Sequence, residues 1–147
     1  MSNFENEMNR MFGGSRAKYL LCKVFMGYVE KCQGDMIAAL EKAGFRAPGT
    51  FADLHKLVRG YLNDGVKMGE GWLLTAEMLE LIHSGTPNIV CAQPFGCLPN
   101  HIVGKGMMKP IKEKHPEINL VAIDYDSGAT RVNQENRIRL MLSNAVK

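Results

Sequence analysis

The sequence lacks any long hydrophobic run. No window approaches the ~18 uninterrupted apolar residues of a membrane-spanning helix. Residues 1–7 are acidic and polar, with neither the basic start nor the apolar centre of a secretory signal peptide. These absences predict a cytoplasmic protein with no membrane partner. In a reducing compartment, the four cysteines are expected to be free thiols or metal ligands rather than disulfides.

The chain also has little net charge, and it has no internal repeat or low-complexity segment. The formal charge of +3 is spread along the sequence, so we predict no nucleic-acid partner. The 147 residues, 46% of them hydrophobic and 22% charged, suit one compact globular domain. Lys105, Lys109 and Lys112 recur at helical spacing, which is more typical of a solvated helix face than of an anion-binding patch.

The first part of the chain has helical periodicity. Ser15 can cap a long helix whose apolar residues recur at near-helical spacing. Cys22 and Cys32 lie inside this pattern and are expected to be core thiols rather than ligands. Gly34 and Asp35 are expected to break that helix, and a second helix over residues 36–43 is expected to stop at Gly44. The apolar residues of the first helix are Ala17, Leu20, Leu21, Val24, Tyr28 and Cys32.

A further helix is expected after Thr50, where Asp53 completes a capping-box pattern. Its predicted apolar face consists of Leu54, Leu57, Val58, Tyr61 and Leu62. The glycines that follow, Gly65, Gly69 and Gly71, indicate a linker. They lack the Lys-Ser/Thr of a phosphate-binding loop, and no strand precedes them.

From Trp72 onward, helices alternate with short apolar runs. Strands are predicted at residues 89–92 and 117–123, separated by a helix that begins near Pro99 and that Pro110 should kink or end early. A last helix over 130–145 is expected to bury Val132, Ile138, Met141 and Leu142.

This order of elements predicts a βαβ unit with two parallel strands and a right-handed crossover. We therefore expect an α/β fold in which a helical N-terminal half, residues 1–70, precedes a small parallel Rossmann-like βαβ unit with flanking helices, residues 71–147. The two parts are expected to form a single domain. Two strands make a very small sheet, which the preceding helices could cover; otherwise further strands would come from another chain or from the rest of a longer protein. We expect this domain to be a module of a larger protein.

The stretch Asn-Ile-Val-Cys-Ala-Gln-Pro-Phe-Gly-Cys-Leu-Pro-Asn-His, residues 88–101, carries two thiols at the end of the first predicted strand. Loops that leave the carboxyl ends of parallel strands lie at one edge of the sheet, where open α/β sheets bind ligands. Cys91 and Cys97 are therefore expected to share an edge with Asp124 and Asp126, which follow the second strand.

Several kinds of chemistry are open to these residues. Cys91 and Cys97 could hold zinc or an iron–sulfur centre, with His101 as a third ligand. Cys97 near a helix start could instead be a nucleophile with His101 as its base. Asp124 and Asp126 could bind a cation or act as acid and base, although turn-forming residues that cap the last helix are the simpler interpretation.

Three stretches resemble one known family: residues 71–81, residues 88–101, and residues 122–138 with the sequence Ala-Ile-Asp-Tyr-Asp-Ser-Gly-Ala-Thr-Arg-Val-Asn-Gln-Glu-Asn-Arg-Ile. They are similar to the carboxyl-terminal region of the large 2-hydroxyacyl-CoA dehydratase activase proteins. These are the CoA-substrate-specific enzyme activases of anaerobic bacteria, related to benzoyl-CoA reductase subunits. The resemblance is close over the second half of the chain and looser over the first half.

The resemblance implies an iron–sulfur protein, of the 4Fe–4S kind, in low-potential electron transfer. In this family such transfer is coupled to ATP hydrolysis in an actin-like domain and directed at acyl-CoA dehydration or reduction. Cys91 and Cys97 match the family's motif cysteines and are the implied cluster ligands. The other ligands would come from other domains or subunits of the activase and dehydratase system. The isolated chain, which has no ATPase domain, is expected to lack enzymatic activity and can be made without its cluster.

A second hypothesis is a binding or assembly module without chemistry. In that case the cysteine loop and the lysines Lys105 and Lys109, with Lys112, would recognise an acyl-CoA phosphate or an acidic partner. The sequence leaves open whether the chain forms a homodimer.

Overall fold

The computed structural model describes residues 11, 13–63, 65–66, 69–126, 128 and 131–145. Over these residues the protein is mixed α/β, with a helical N-terminal half followed by two parallel strands and flanking helices, as predicted. The chain divides into two compact units, Met1–Thr50 and Phe51–Lys147. That the whole chain is a single domain stays a prediction. In the described part, no helix combines the length and apolar character that crossing a membrane requires.

The first unit contains one long helix, α1 (Arg16–Lys42), of 27 residues. The predicted break at Gly34 and Asp35, and with it the separate helix over 36–43, is therefore wrong. A glycine inside a helix costs about 1 kcal/mol, whereas ending a helix leaves several backbone groups without intrahelical partners. The predicted stop at Gly44 is confirmed, because Gly44 has φ +77° and the Phe45 N–H bonds back to the Leu40 carbonyl at 3.0 Å.

Helix α1 has no buried residue, so the predicted core positions of Cys22 and Cys32 are also wrong. Leu20, Val24 and Tyr28 are 62%, 66% and 65% exposed. Periodicity shows how apolar residues are arranged on a helix, but it does not show that a partner covers them.

The second unit opens with α2 (Phe51–Val58) and α3 (Leu73–His83). The predicted helix after Thr50 is confirmed, although it ends before Tyr61 and Leu62. The Trp72 ring contacts the Phe51 ring at a centroid distance of 5.2 Å, and Val58, Trp72 and Ala76 form a small buried cluster. This cluster fixes α2 against the start of α3.

Strands β1 (Asn88–Pro94) and β2 (Asn119–Tyr125) pair in parallel, and each has seven residues. Both predicted strands exist, but β1 is longer than 89–92 and β2 is displaced from 117–123. Pro94 is the last residue of β1, where its missing N–H interrupts no further pairing. The Phe95 N–H donates to the Tyr125 carbonyl at 2.9 Å, so the backbone pairing continues one residue past the end of β1.

Between the strands, the chain forms a π-helical turn (Asn100–Gly104), a 3-10 turn (Lys105–Met107) and then α4 (Met108–Lys114). Pro99 immediately precedes this run, as expected. Pro110 lies in the first turn of α4, where the lack of an N–H is tolerated. The main core joins α3 and α4 to the sheet through Leu79, Ile111 and Leu120, which are at most 1% exposed.

The last helix, α5 (Arg131–Ser143), has no buried residue. The predicted burial of Val132, Ile138, Met141 and Leu142 is wrong, since Val132 and Leu142 are 61% and 67% exposed. Polar contacts attach α5 to β2 instead: Arg137 Nη1 donates to the Ala122 carbonyl at 3.2 Å, and Asn119 Nδ2 donates to the Met141 carbonyl at 2.8 Å. Thr130, the predicted first residue of this helix, lies outside the described residues.

Candidate functional site

Two buried carboxamides lie beside the thiols of Cys91 and Cys97. Gln93 is 0% exposed, and its Nε2 donates to the Asn100 carbonyl at 3.0 Å and contacts Cys91 Sγ at 3.6 Å. Asn100 is 7% exposed, and its Nδ2 donates to Cys97 Sγ at 3.0 Å. Cys91 and Cys97 are thus each contacted by a buried side-chain amide, and the Gln93 amide is in turn bonded to the backbone carbonyl of Asn100.

Gly104 lies next to the Gln93 amide and the Cys91 thiol. A Cβ at Gly104 would lie 3.1 Å from Gln93 Nε2 and 3.7 Å from Cys91 Sγ. Nearby, the buried Thr75 hydroxyl donates to the Val103 carbonyl at 2.8 Å, which ties the π-helical turn to α3. The absence of a side chain at Gly104 therefore makes room for the amide and the first thiol.

The loop between β1 and the π-helical turn is ordered by its own backbone and by His101. Gly96 has φ +77°, a conformation that favours glycine. The Gly96 N–H donates to His101 Nε2 at 3.2 Å, and the His101 ring meets the Phe95 ring nearly perpendicularly at 6.3 Å. His101 Nε2 is thus occupied by a backbone N–H, which gives His101 a role in holding the loop.

Cys91 lies in the middle of β1, opposite Ala122, rather than at the edge where the strands end. The prediction placed it at that edge because it ended the strand at residue 92. Gln93 and Pro94 continue the pairing, which sets Cys91 back by roughly 10 Å at about 3.3 Å per strand residue. All four cysteines are free and half-buried, including Cys22 and Cys32, which were predicted as core thiols.

At the edge where both strands end, there is a cavity of about 640 Å³. Asp124 and Asp126 both line it, as the sequence predicted for this edge, together with Phe95 from the β1 loop. Helix α5 supplies the remaining wall with Asn133, Gln134, Asn136, Arg137 and Leu140. Neither Cys91 nor Cys97 is among the lining residues, so the structure does not unite the thiols and the acids in one cavity.

Two lysines of the predicted basic row form ion pairs, and one of these pairs involves a residue that lines the cavity. Lys105 Nζ lies 3.1 Å from Asp124 Oδ2, while Asp124 Oδ1 is buried and has no hydrogen-bond partner among the described residues. Lys109 faces Glu113 at 3.9 Å on α4. Two members of the predicted basic row are therefore matched by carboxylates, which weakens the row as an anion site.

Among the described residues of the second unit, Tyr61 and Glu77 have shifted pKa values, and neither lines the cavity. Burial raises the pKa of Tyr61, whose hydroxyl lies 3.2 Å from His115 Nε2. Partial burial, followed by the carboxylates of Glu80 and Glu70, raises the pKa of Glu77 on α3. These shifts bear on stability and not on the chemistry of the cavity.

Within the described residues, no group of three or more His, Cys, Asp or Glu side chains could hold a metal ion. The sequence-based search concentrated on such side chains and missed the carboxamides Gln93, Asn100, Asn133, Gln134 and Asn136. Gln93 could have been noticed, because it follows Cys91 by two residues on the same face of an otherwise apolar strand. The amides of α5 give no comparable signal, since polar residues on an exposed helix are common.

No family model, curated protein or solved structure matches the chain.

Proposed function

We propose that this chain is an iron–sulfur electron-transfer module of an acyl-CoA dehydratase or reductase activation system, with Cys91 and Cys97 as part of the cluster ligand set. The observation that supports it is the pair of buried amides, Gln93 and Asn100, directed at the two sulfurs at 3.6 and 3.0 Å. Hydrogen bonds to cysteine sulfur are one of the means by which proteins set cluster potentials. The family resemblance of residues 88–101 supports the same assignment.

Two cysteine thiolates would make up half of a four-thiolate ligand set. Two sulfurs lie around one amide pair, and the described residues offer no third ligand beside them. Cys91 and Cys97 would therefore hold one side of the cluster, and another domain or subunit would supply the remaining thiolates. When bound, the cluster would supply one-electron transfer at low potential. A cytoplasmic location belongs to this proposal, because the thiols must stay reduced to act as ligands.

The chain's own residues would do three things in such a module. Gln93 and Asn100 fix the sulfurs, and Gly104 allows Gln93 to approach them closely. The Oε1 of Gln93 is buried with no hydrogen-bond partner among the described residues, which is unfavourable for stability. We attribute the burial of this unpartnered oxygen to the Nε2 of the same amide, which contacts the Cys91 thiol.

Around the loop, the side chains of Leu98 and Ile102 are 69% and 63% exposed, and they offer an apolar surface to the partner that completes the site.

The test is the iron and sulfide content of the chain after anaerobic purification and incubation with iron and sulfide, alone and with its partner domains. We expect bound iron in the wild type and its loss in Cys91→Ser and Cys97→Ser. Cys22→Ser and Cys32→Ser are matched controls, because these thiols are also half-buried but belong to α1. A wild-type chain that stays iron-free beside its partners, or controls that lose as much iron, would contradict the proposal.

The second candidate is an assembly or binding module without redox chemistry. It is favoured by α1, which exposes large apolar side chains along its length; Leu21 and Phe25, for example, are 70% and 63% exposed. An apolar surface of this extent is typical of a helix that packs against a partner. Sedimentation of the wild type and of the double variant Leu21→Glu, Phe25→Glu tests this candidate, and equal monomeric behaviour with and without partner domains would contradict it.

The ligand part of the second candidate is recognition of an acyl-CoA. Lys105, Lys109 and Lys112 would contact its phosphates, although the first two already face carboxylates. Calorimetry with CoA esters at low and high salt is the appropriate measurement. Binding that weakens with salt and with Lys112→Ala would support it, and the absence of heat at low salt would remove it.

A further inference from the structure

The cavity at the strand ends is a second site, separate from the thiols. Its volume of about 640 Å³ lies within the range of small-molecule sites, roughly 300 to 1,000 Å³. It also lies where parallel α/β sheets bind ligands, beyond the carboxyl ends of the strands. Neither Cys91 nor Cys97 lines it, so a ligand bound there would not contact the sulfurs through the cavity wall.

The cavity is lined by both apolar and polar side chains. Phe95 and Leu140 provide apolar surfaces, and three carboxamides of α5, from Asn133, Gln134 and Asn136, provide both donors and acceptors. Phe95 is 69% exposed, and His101 packs edge-on against its ring. A large aromatic ring held exposed beside a polar wall is suited to stacking on a planar ligand.

The charges at the cavity disfavour an anion. The carboxylates of Asp124 and Asp126 lie in the wall, and they would repel a phosphate. The Arg137 guanidinium already donates to the Ala122 carbonyl, and Lys105 is paired with Asp124. Carboxylates are acceptors, and they bind hydroxyl donors well. The ligand that fits is therefore neutral, planar at one end and rich in hydroxyl groups at the other.

We propose that this cavity binds a neutral nucleoside. Its base would stack on Phe95 and pair along its edge with the carboxamides of α5, in the way that Asn and Gln pair with adenine. Its sugar hydroxyls would donate to the carboxylates of Asp124 and Asp126. This site belongs to the chain itself and does not depend on the redox function.

The experiment titrates the full chain with adenosine by calorimetry and by amide NMR shifts. We expect a dissociation constant of about 0.1 mM, which is typical of the binding energy per atom of a ligand of this size. Phe95→Ala should weaken binding about tenfold or more through the loss of stacking. Leu98→Ala is the matched control, because Leu98 is equally exposed at 69% in the same loop but does not line the cavity, and it should leave binding unchanged.

A second pair of variants tests the polar wall. Gln134→Ala should weaken adenosine binding by up to about tenfold, the value of a single hydrogen bond, while Arg139→Ala on the same helix should not. NMR spectra of each variant verify that the fold is kept. Cys91→Ser should bind adenosine like the wild type, which separates this site from the cluster proposal.

Three results would overturn the inference. The first is an absence of adenosine binding at roughly 10 mM, a hundredfold above the expected constant. The second is equal affinity for D-ribose, which would show that the base is not recognised. The third is tighter binding of adenosine 5′-monophosphate than of adenosine, which would show that the site selects an anion.

Discussion

The two compact units use apolar residues differently. In the first unit, α1 carries leucine, valine, phenylalanine and tyrosine at helical spacing, yet none of its residues is buried. In the second unit, α3 has a similar apolar pattern, and Ala76, Met78 and Leu79 are buried against neighbouring elements. The difference lies in the presence of a partner surface within the chain. The second unit has a sheet that its helices cover, whereas the described residues of the first unit contain no sheet against which α1 could pack.

The largest effect is expected from truncating the core of the second unit. Leu79 is 0% exposed, so Leu79→Ala should lower the free energy of unfolding by about 2–5 kcal/mol. Leu21 in α1 is 70% exposed, so Leu21→Ala should change the free energy of unfolding by about 0.5 kcal/mol or less. Urea unfolding measures both variants when it is followed by circular dichroism, which reports the helices of both units, and by the fluorescence of Trp72, which reports the second unit.

The same pair of variants tests whether α1 is unpacked in solution, as the comparison between the units assumes. If Leu21→Ala were as destabilising as Leu79→Ala, α1 would have to be packed in solution. Repeating the measurement at several protein concentrations would then show whether a second copy of the chain provides the packing, because only an intermolecular contact makes the midpoint depend on concentration.

The next effect concerns the close packing around the thiols. Gly104→Ala should destabilise the second unit by about 1–3 kcal/mol, because the new Cβ would lie 3.1 Å from Gln93 Nε2. Gly106→Ala is the control, since the nearest atom to its Cβ would be the His101 carbonyl oxygen at an ordinary 3.6 Å. The alkylation rate of Cys91 should rise only in Gly104→Ala. Equal unfolding curves for the two variants would show that the amide is not held as tightly as the distances indicate.

Much of the second unit could be predicted from local sequence patterns. The short apolar runs, the turn residues around them and the helix between them indicated two parallel strands, and the structure confirms this. Strand limits were less accurate, because Gln93 and Pro94 carry no apolar signal and extend β1 only by pairing with Asp124 and Tyr125. Strand length depends on hydrogen-bonding partners that are distant in sequence, and periodicity does not report them.

The candidate site could be predicted only in part, for the same reason. Asp124 and Asp126 were placed at the strand ends by topology alone, and they line the cavity there. The position of Cys91 depended on the strand limit and was therefore wrong. The wall of α5 was not foreseen, because that helix was expected to bury apolar residues, whereas Arg137 and a side chain from β2, Asn119, attach it through backbone carbonyls.

Glycine substitutions should have opposite signs in the two units. Gly96 in the β1 loop has φ +77°, so Gly96→Ala should destabilise the second unit by about 1 kcal/mol. Gly34 lies inside α1 with nothing within 4 Å of an added Cβ, so Gly34→Ala should stabilise the helix by about 0.5–1 kcal/mol. Thermal unfolding monitored by circular dichroism measures both.

One control variant and one contrary outcome sharpen the test with Gly96→Ala and Gly34→Ala. Gly96→Asn should be milder than Gly96→Ala, because asparagine adopts left-handed backbone angles more readily. If Gly34→Ala lowered the helical signal of the chain, α1 would have to be interrupted at that point in solution, as the sequence alone suggested.

The smallest effect is a pH dependence at Glu77 on α3. Partial burial, with the carboxylates of Glu80 and Glu70, raises the pKa of Glu77 in the folded chain. The stability associated with protonated Glu77 is therefore fully present below the ordinary glutamate pKa of about 4.3 and is lost as the pH rises through the folded value. Glu77→Gln should stabilise the second unit at pH 7 by a few tenths of a kcal/mol, given solvent screening, and should have no effect near pH 3. The carboxylate part of the gain should shrink in about 1 M salt. Unfolding curves of both proteins at the two pH values test this, and a gain that was the same at pH 3 and pH 7 would exclude ionisation as its cause.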